Sequence, residues 1–357
     1  MENGVRLVFS VVLAGLSLVS TQASAQIPKV LRLETVLKID SEAPENAARG
    51  LSDITRFTVG RKGQVYIFDP KNKDQAIFLF DEKGAFIKAF GKRGQGPGEI
   101  QLVGDMMVDN NGVLILNDVN EKKLIFFDTN GAFIKEKRIP DDGSRIIPLD
   151  NGRFFVCTSQ MTNESVSASL RICDGENREV KAIDQVAKPN IFYSNPIEAR
   201  FNLWTLAWGS HRAFFGFPGR DEIIRQYDES GNLVREIRAG VRDAGMTEKY
   251  KSDFIKIIAP IYEMIKDKLV FPKSLPPYHS FTAGPNDELA VMTYEWNEGE
   301  KGFKYLFFSG DGQPLGIAYL DAAFNDGEMF VKMGDGKIYY LREKPSGYKE
   351  LVVAAIR

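Results

Sequence analysis

Histidine and cysteine often act as bases, nucleophiles and metal ligands, and this sequence of 357 residues has two of each. His211 stands in a Gly-Ser-His turn, and His279 precedes a predicted strand in another part of the chain. The sequence has no Gly-x-Ser-x-Gly or His-Glu-x-x-His motif, and no cysteine at a recognisable spacing from a histidine. These residue types therefore predict no catalytic residue and no metal ligand.

The two cysteines, Cys157 and Cys173, fall on predicted strands of one repeat unit. A disulfide requires a favourable cross-strand register. Two buried free thiols are favoured, and a bridge stays open.

The glycine-rich segment Gly91–Glu99 (GKRGQGPGE) resembles a loop that holds a phosphate group. A phosphate-binding loop of the P-loop type ends in Gly-Lys-Ser/Thr and opens a helix, and neither feature is present here. We therefore predict a turn that joins two repeat units.

The elements that must position any site are the strands of a repeat. Ile77–Lys88 (IFLFDEKGAFIK) and Leu124–Lys135 (LIFFDTNGAFIK) are nearly identical and lie 47 positions apart. Each copy predicts a β-hairpin, in which an apolar strand is followed by an Asp-x-x-Gly turn and a second strand. Asp69 and Asp118 recur after the preceding strand of each unit, which indicates a turn-capping role. A repeat of this length built from strands is typical of a radial β-architecture.

Similar units of four strands recur along the rest of the chain. The sixth unit has three clear strands, and a strand within Ile27–Asp40 is predicted to complete it. Because closure by strands from both ends removes exposed edges, we predict an all-β fold, a single six-bladed β-propeller over residues 26–357 with four-stranded antiparallel blades. The units begin near Leu51, Val103, Arg145, Phe201, Tyr278 and Ala322.

A helical pattern over Thr247–Val270 interrupts the strand repeat between the fourth and fifth units, and places an insertion at about residues 243–271. Apolar residues recur there at three-four spacing on one stripe. Thr247 is the predicted N-cap, and Pro260 is predicted to kink or split the helix. The mixed charges of the polar face favour packing on the propeller over a membrane-surface role.

Residues 1–25 have the features of a secretory signal peptide, with Arg6, an apolar run and a small-residue cleavage motif before Gln26. The apolar run is short for a membrane span. We therefore expect an exported protein, periplasmic or secreted. We also expect a monomer. The formal net charge is −2 and no basic block stands out, which disfavours nucleic-acid binding.

Three motifs, FGKRGQGPGEI, DMMVDNNGVLILND and the turn FDTNG, resemble those of the NHL-repeat propellers. The helix before FPKSLPPYHSFTAG makes the chain similar to the bacterial family called six-bladed β-propeller. The resemblance covers nearly the whole chain after residue 25, and it implies an exported propeller without an assigned activity. Its motifs are turn and strand signals, which indicate the fold and carry very little information about function.

In a propeller, the loops that lead into the inner strands surround the mouth of the central channel. Aromatic and cationic side chains at such a mouth suit an anionic or sugar-like ligand. The candidate ligand-binding residues there are Arg49, Gln101, Asp105, Arg200, Tyr278 and His279.

The sequence therefore predicts a binding or scaffold module, rather than an enzyme, for a protein, peptide or small-molecule ligand at the channel mouth. The alternative is a divalent-metal-dependent hydrolase or lyase, of the lactonase or esterase kind, with its site in the channel. The resemblance to propeller enzymes would then imply Ca²⁺ or Zn²⁺. Loop acids such as Asp53, Asp105 and Asp287 are available, but no histidine cluster accompanies them. We predict no cofactor.

Overall fold

Six four-stranded antiparallel sheets form the blades of a propeller, which confirms the predicted fold. The predicted signal peptide, residues 1–25, lies outside the described residues. The computed structural model describes residues 29–139, 145–149, 152–190, 196–199, 205–209, 212–239, 244–322, 324–325, 328–329 and 331–357.

The first two blades follow the sequence pattern closely. A strand, β1 (Leu33–Asp40), and a short helix, α1 (Pro44–Ala48), come before them. Blade one contains β2 (Arg56–Val59), β3 (Val65–Phe68), β4 (Ile77–Phe80) and β5 (Phe86–Phe90). Blade two contains β6 (Val103–Val108), β7 (Leu114–Asp118), β8 (Lys123–Phe127) and β9 (Phe133–Arg138).

Blade three has longer outer strands than its neighbours. It contains β10 (Arg145–Pro148), β11 (Phe154–Met161), β12 (Ser165–Cys173) and β13 (Glu179–Pro189). A short strand, β14 (Ile197–Glu198), leads to the next blade. Blade four contains β15 (Thr205–Trp208), β16 (Ala213–Gly216), β17 (Ile223–Tyr227) and β18 (Leu233–Arg238).

The insertion between blades four and five contains two helices, because Pro260 stands in the first turn of the second one. The Thr247 side chain accepts a hydrogen bond from the Tyr250 N–H at 3.1 Å, so the predicted N-cap is confirmed. In the described part of the chain, no helix is long and apolar enough to span a bilayer. The insertion contains β19 (Ala244–Gly245), α2 (Glu248–Ile257), α3 (Ala259–Ile265), β20 (Leu269–Val270) and β21 (Ser274–Leu275).

The last two blades close the ring. Blade five contains β22 (Ser280–Ala283), β23 (Leu289–Asn297), β24 (Gly302–Phe308) and β25 (Pro314–Leu320). A small hairpin follows, of β26 (Phe324–Asn325) and β27 (Glu328–Met329). Blade six contains β28 (Val331–Gly334), β29 (Lys337–Glu343) and β30 (Lys349–Ile356), with β1 as its outer strand.

The pairing of β1 with β30 confirms that the two ends of the propeller share one sheet. The register runs from Leu33 opposite Ile356 to Asp40 opposite Glu350. Beyond the strands, the Arg357 N–H donates to the Arg32 carbonyl at 2.9 Å.

The blades bury their faces against one another. All four residues of β4 are buried, as expected for a strand with a sheet on each side. Phe78 and Phe80 of blade one pack in one apolar cluster with Tyr339 and Leu341 of blade six. This face-to-face packing forms the core between each pair of neighbouring blades.

Asp69 and Asp118 are fully buried and organise the connections between neighbouring blades, which confirms their capping role. Asp69 accepts hydrogen bonds from Ser52 N and Oγ, and also from the N–H groups of Asp53, Lys71 and Asn72. A carboxylate that ties two chain segments together with this many donors leaves several polar groups unsatisfied when it is removed.

We expect Asp69→Ala to lower the free energy of unfolding by about 2–4 kcal/mol, because buried donors lose a charged acceptor. Asp81→Ala is the matched control, since the Asp81 carboxylate caps an exposed turn with two N–H donors, those of Lys83 and Ala85. Urea unfolding of both variants measures the difference. Equal losses in the two variants would contradict the buried role of Asp69.

Candidate binding site in the central channel

Charged side chains on the inner strands of blades one to three occupy one level of the propeller. The three side chains hold equivalent positions in their blades. Each residue lies four positions before the residue whose N–H closes the turn after the inner strand, and the three residues are Arg56, Asp105 and Arg145. The three closing hydrogen bonds run from Gly60 to Gln64, from Asp109 to Val113 and from Leu149 to Arg153.

An ion pair joins two of these side chains across neighbouring blades. Arg145 Nε and Nη2 both donate to Asp105 Oδ2, at 2.9 and 2.6 Å. The second oxygen, Oδ1, accepts from the Met106 N–H at 2.9 Å. The Asp105 side chain keeps 34% of its surface exposed although an inner strand carries it, as expected for a group beside a water-accessible channel.

Lys332, on the inner strand of blade six, brings a second cation near Asp105. Among the described residues, its ammonium group makes no hydrogen bond or ion pair. Burial lowers the pKa of Lys332, and repulsion from Arg145 adds to this effect while Asp105 opposes it. Burial alone would raise the pKa of Asp105, but the charges of Arg145 and Lys332 and the hydrogen bonds hold it below its usual value.

Arg56 supplies a third cation at this level. Its Nη1 donates to the Thr55 carbonyl at 2.8 Å, and its Nε lies 3.5 Å from the Gly104 carbonyl, next to Asp105. Three cations therefore accompany one carboxylate on these inner strands.

A narrow cavity of about 40 Å³ lies against Lys332, which is the charged member of its described lining. This is room for about one or two water molecules or for the end of a ligand. The described lining consists of Thr58, Val59, Met106, Met107, Val108, Trp208, Gly209, Ala283, Gly284, Pro285, Lys332 and Met333.

The candidate residues from the sequence lie in different environments, and Asp105 is the one within this cluster. Exposed Arg49 lies over the Phe86 ring of the outer strand of blade one, at 5.0 Å. Gln101 is half-buried, and its N–H donates to Asp118 at 2.6 Å. Arg200 lies outside the described residues, as does His211.

Tyr278 and His279 are both buried, at 0% and 1% exposure, so neither presents a surface to solvent. The His279 ring packs edge-on against Tyr294 at 5.2 Å, and its Nδ1 lies 2.8 Å from Ser280 Oγ. Burial lowers the pKa of His279 to about 3, which keeps the ring neutral at physiological pH. Ligand binding by the six candidate residues stays a prediction.

The two cysteines and the glycine-rich connector lie in surroundings that indicate a structural role. Cys157 and Cys173 are buried free thiols, and burial raises the pKa of Cys157 to about 12. In the glycine-rich connector, the Glu99 carboxylate accepts from the Gly96 N–H at 2.9 Å, so the loop binds its own side chain. Across the described ranges, no three His, Cys, Asp or Glu side chains form a cluster suited to a metal ion.

The sequence reasoning missed Arg56, Arg145 and Lys332. A signal for them was present, because a charged residue inside a predicted inner strand cannot pack between blades and must reach water or a partner.

The comparisons with known proteins support the fold and leave the function open. Residues 51–204 match a family model described as a domain of unknown function, DUF4934, which covers less than half of the chain. No curated protein matches the sequence.

Solved structures with the same architecture are distant in sequence. A protein from Bacteroides fragilis that is described as exported superposes with a TM-score of 0.51 at 14% identity, over 92% of this chain and 95% of its own. A member of the DUF4221 family from Bacteroides vulgatus has a TM-score of 0.48 at 13% identity, over 92% and 98%. A gluconolactonase from Xanthomonas campestris has a TM-score of 0.43 at 10% identity, over 93% and 97%. At 14% identity, the likeness to the Bacteroides fragilis protein supports the fold alone.

The buried His279 predicts a pH dependence of stability. Its pKa is near 3 in the folded state and about 6.5 when unfolded, so below pH 6.5 the unfolded chain binds a proton that the native chain excludes. Stability should therefore fall as pH decreases from about 6.5 towards 3, with a contribution approaching about 1.4 kcal/mol per pH unit.

His279→Phe keeps an aromatic ring beside Tyr294 and removes this proton. Urea unfolding between pH 4 and 7 should give a shallower slope in the variant, whatever its absolute stability. The same slope in both proteins would show that His279 is not the group responsible.

Proposed function

We propose that the protein is an exported binding module whose ligand places an anionic group in the central channel, against Lys332 and Arg145. The observation that carries this proposal is the ammonium group of Lys332. It is partly removed from water, and no described carboxylate forms an ion pair with it. A cation in this environment gains most from a ligand anion, because such an interaction is screened less than one at the open surface.

Asp105 sets the affinity and the geometry of the site. It holds the Arg145 guanidinium through two hydrogen bonds to one oxygen, and so fixes its position beside the channel. It also offsets part of the positive charge of the neighbouring cations. The ligand anion then competes with Asp105 for Arg145, and it meets Lys332, which has no ion-pair partner among the described residues.

The small volume beside Lys332 limits what can enter. With about 40 Å³ available, a carboxylate or similar end group fits, while the body of the ligand lies on the face of the propeller. A small organic acid and the acidic end of a peptide or protein both satisfy this description.

Substitutions of Lys332 and of Asp105 should change the affinity for a small acid in opposite directions. Lys332→Met removes the binding cation and should weaken a small acid about tenfold or more. Asp105→Asn removes the competing anion and should strengthen it. A panel of carboxylic acids and phosphate esters, screened by thermal shift and measured by isothermal titration calorimetry, provides the probe.

Lys83→Met is the matched control, because Lys83 lies in an exposed outer turn. Binding should also weaken as salt increases. Equal affinity in the wild type and Lys332→Met, or the absence of binding by every acid of the panel, would refute the proposal.

Export is the second part of the proposal, and residues 1–25 support it through their basic, apolar and small-residue order. The mature chain should begin at Gln26. Mass spectrometry of the protein recovered from a bacterial periplasmic or culture-medium fraction measures this directly. A chain retained in the cytoplasm with Met1 intact would contradict export.

A further inference from the structure

The outer strands of blade three continue past Arg145, the first described residue of the inner strand. Cys157 of β11 pairs with Arg145, the first residue of the inner strand, and β11 then continues to Met161. Strands β12 and β13 follow it, with nine and eleven residues against five and six in β8 and β9 of blade two. Among the described residues, a three-stranded projection of β11, β12 and β13 therefore continues beyond Arg145.

The two faces of this projection differ in polarity. On one face, Ala168 and Val186 are buried against Phe217 of blade four. On the other face, Val156 packs in the core with blade two, and the next positions along the strand are Thr158 and Gln160. Because alternate residues share a face, the apolar surface gives way to a polar one where the core ends.

This polar face lines a cavity of about 520 Å³, within the range of about 300–1,000 Å³ that is usual for small-molecule sites. Unlike most such sites, its described lining is mainly polar and contains no aromatic ring. The lining consists of Thr158, Gln160, Ser167, Ser169, Leu170, Arg171, Glu179, Ala182, Ile183, Asp184 and Gln185.

A chain of hydrogen bonds orders the centre of the cavity. Arg171 Nη1 donates to Thr158 Oγ1 at 3.1 Å, and Thr158 Oγ1 lies 2.7 Å from Ser169 Oγ. With the guanidinium as a fixed donor, the Thr158 hydroxyl is free to donate to Ser169, and Ser169 can then donate to a ligand. The centre of the cavity is therefore preorganised as a donor.

The charges that the described residues place around the cavity are balanced. Asp184 receives two parallel hydrogen bonds from Arg220, each 2.9 Å long, which neutralise it. Among the described residues, the remaining lining charges are Arg171 and Glu179, of opposite sign. A ligand with a net charge gains nothing from such a site, whereas groups that both donate and accept hydrogen bonds find five hydroxyl and amide partners, Thr158, Gln160, Ser167, Ser169 and Gln185.

We propose that this cavity binds a neutral saccharide of one to three sugar units. The pairs Thr158–Ser169 and Gln160–Ser167 stand directly across the strands from one another. The Cβ atoms of these residues form a grid with spacings of about 5 Å across the strands and about 7 Å along them. Sugar hydroxyls, which surround a compact ring and both donate and accept hydrogen bonds, match this grid. Recognition rests on hydrogen bonds rather than on aromatic stacking.

The test is a screen of neutral mono-, di- and trisaccharides by glycan array, followed by calorimetry on the saccharides that bind. The double variant Gln160→Ala with Ser167→Ala should weaken binding roughly tenfold or more, because two hydrogen bonds are lost. Both side chains are partly or fully exposed, so their truncation leaves the fold intact.

Two control variants distinguish binding in this cavity from binding elsewhere on the protein. Ser159→Ala alters the same strand on the opposite face and should leave saccharide affinity unchanged, as should Lys332→Met in the channel. Binding of a saccharide that is lost in the double variant and kept in both controls supports the proposal. It is overturned if no saccharide binds, if the double variant binds normally, or if an unstructured peptide library binds at these residues and saccharides do not.

Discussion

The pairing of β1 with β30 is the interaction on which the whole propeller depends. Each blade has two apolar faces, and it buries both only when it has a neighbour on each side. An open row of six blades would leave one apolar face exposed at each end. By completing blade six with a strand from the other end of the chain, Leu33 opposite Ile356, the structure supplies the last neighbour and removes both exposed faces.

The blades could be predicted from the sequence because their signals are local. An apolar strand, an acidic turn residue and a glycine recur within a dozen residues, and each has its own physical reason. Blade three shows how far a blade can deviate from this strand and turn pattern. The residue in the left-handed conformation of its outer turn is Asn177, at φ 64°, and its N–H donates to the Asp174 carbonyl as the glycine does elsewhere. Asparagine tolerates this conformation, so the turn persists without its glycine.

The charged cluster could not be predicted in the same way, because it depends on contacts between distant parts of the chain. Arg145 comes near Asp105 through the packing of neighbouring blades. Lys332 of blade six comes near Asp105 through the closure of the ring, and no local pattern records either proximity. Tyr278 and His279 illustrate the opposite difficulty. Their position before an inner strand was readable, but whether such side chains face the channel or pack between blades depends on neighbours such as Tyr294, which lies in the following strand.

The register that closes blade six also determines how the protein responds to force. Leu33, near the start of the described residues, lies directly opposite Ile356, near their end. A tether on one end and a load on the other would pull these two residues apart at right angles to their strands. The hydrogen bonds between β1 and β30 would then break one after another rather than together. The contact that makes the ring complete is therefore also the place where it opens under tension applied through its own ends.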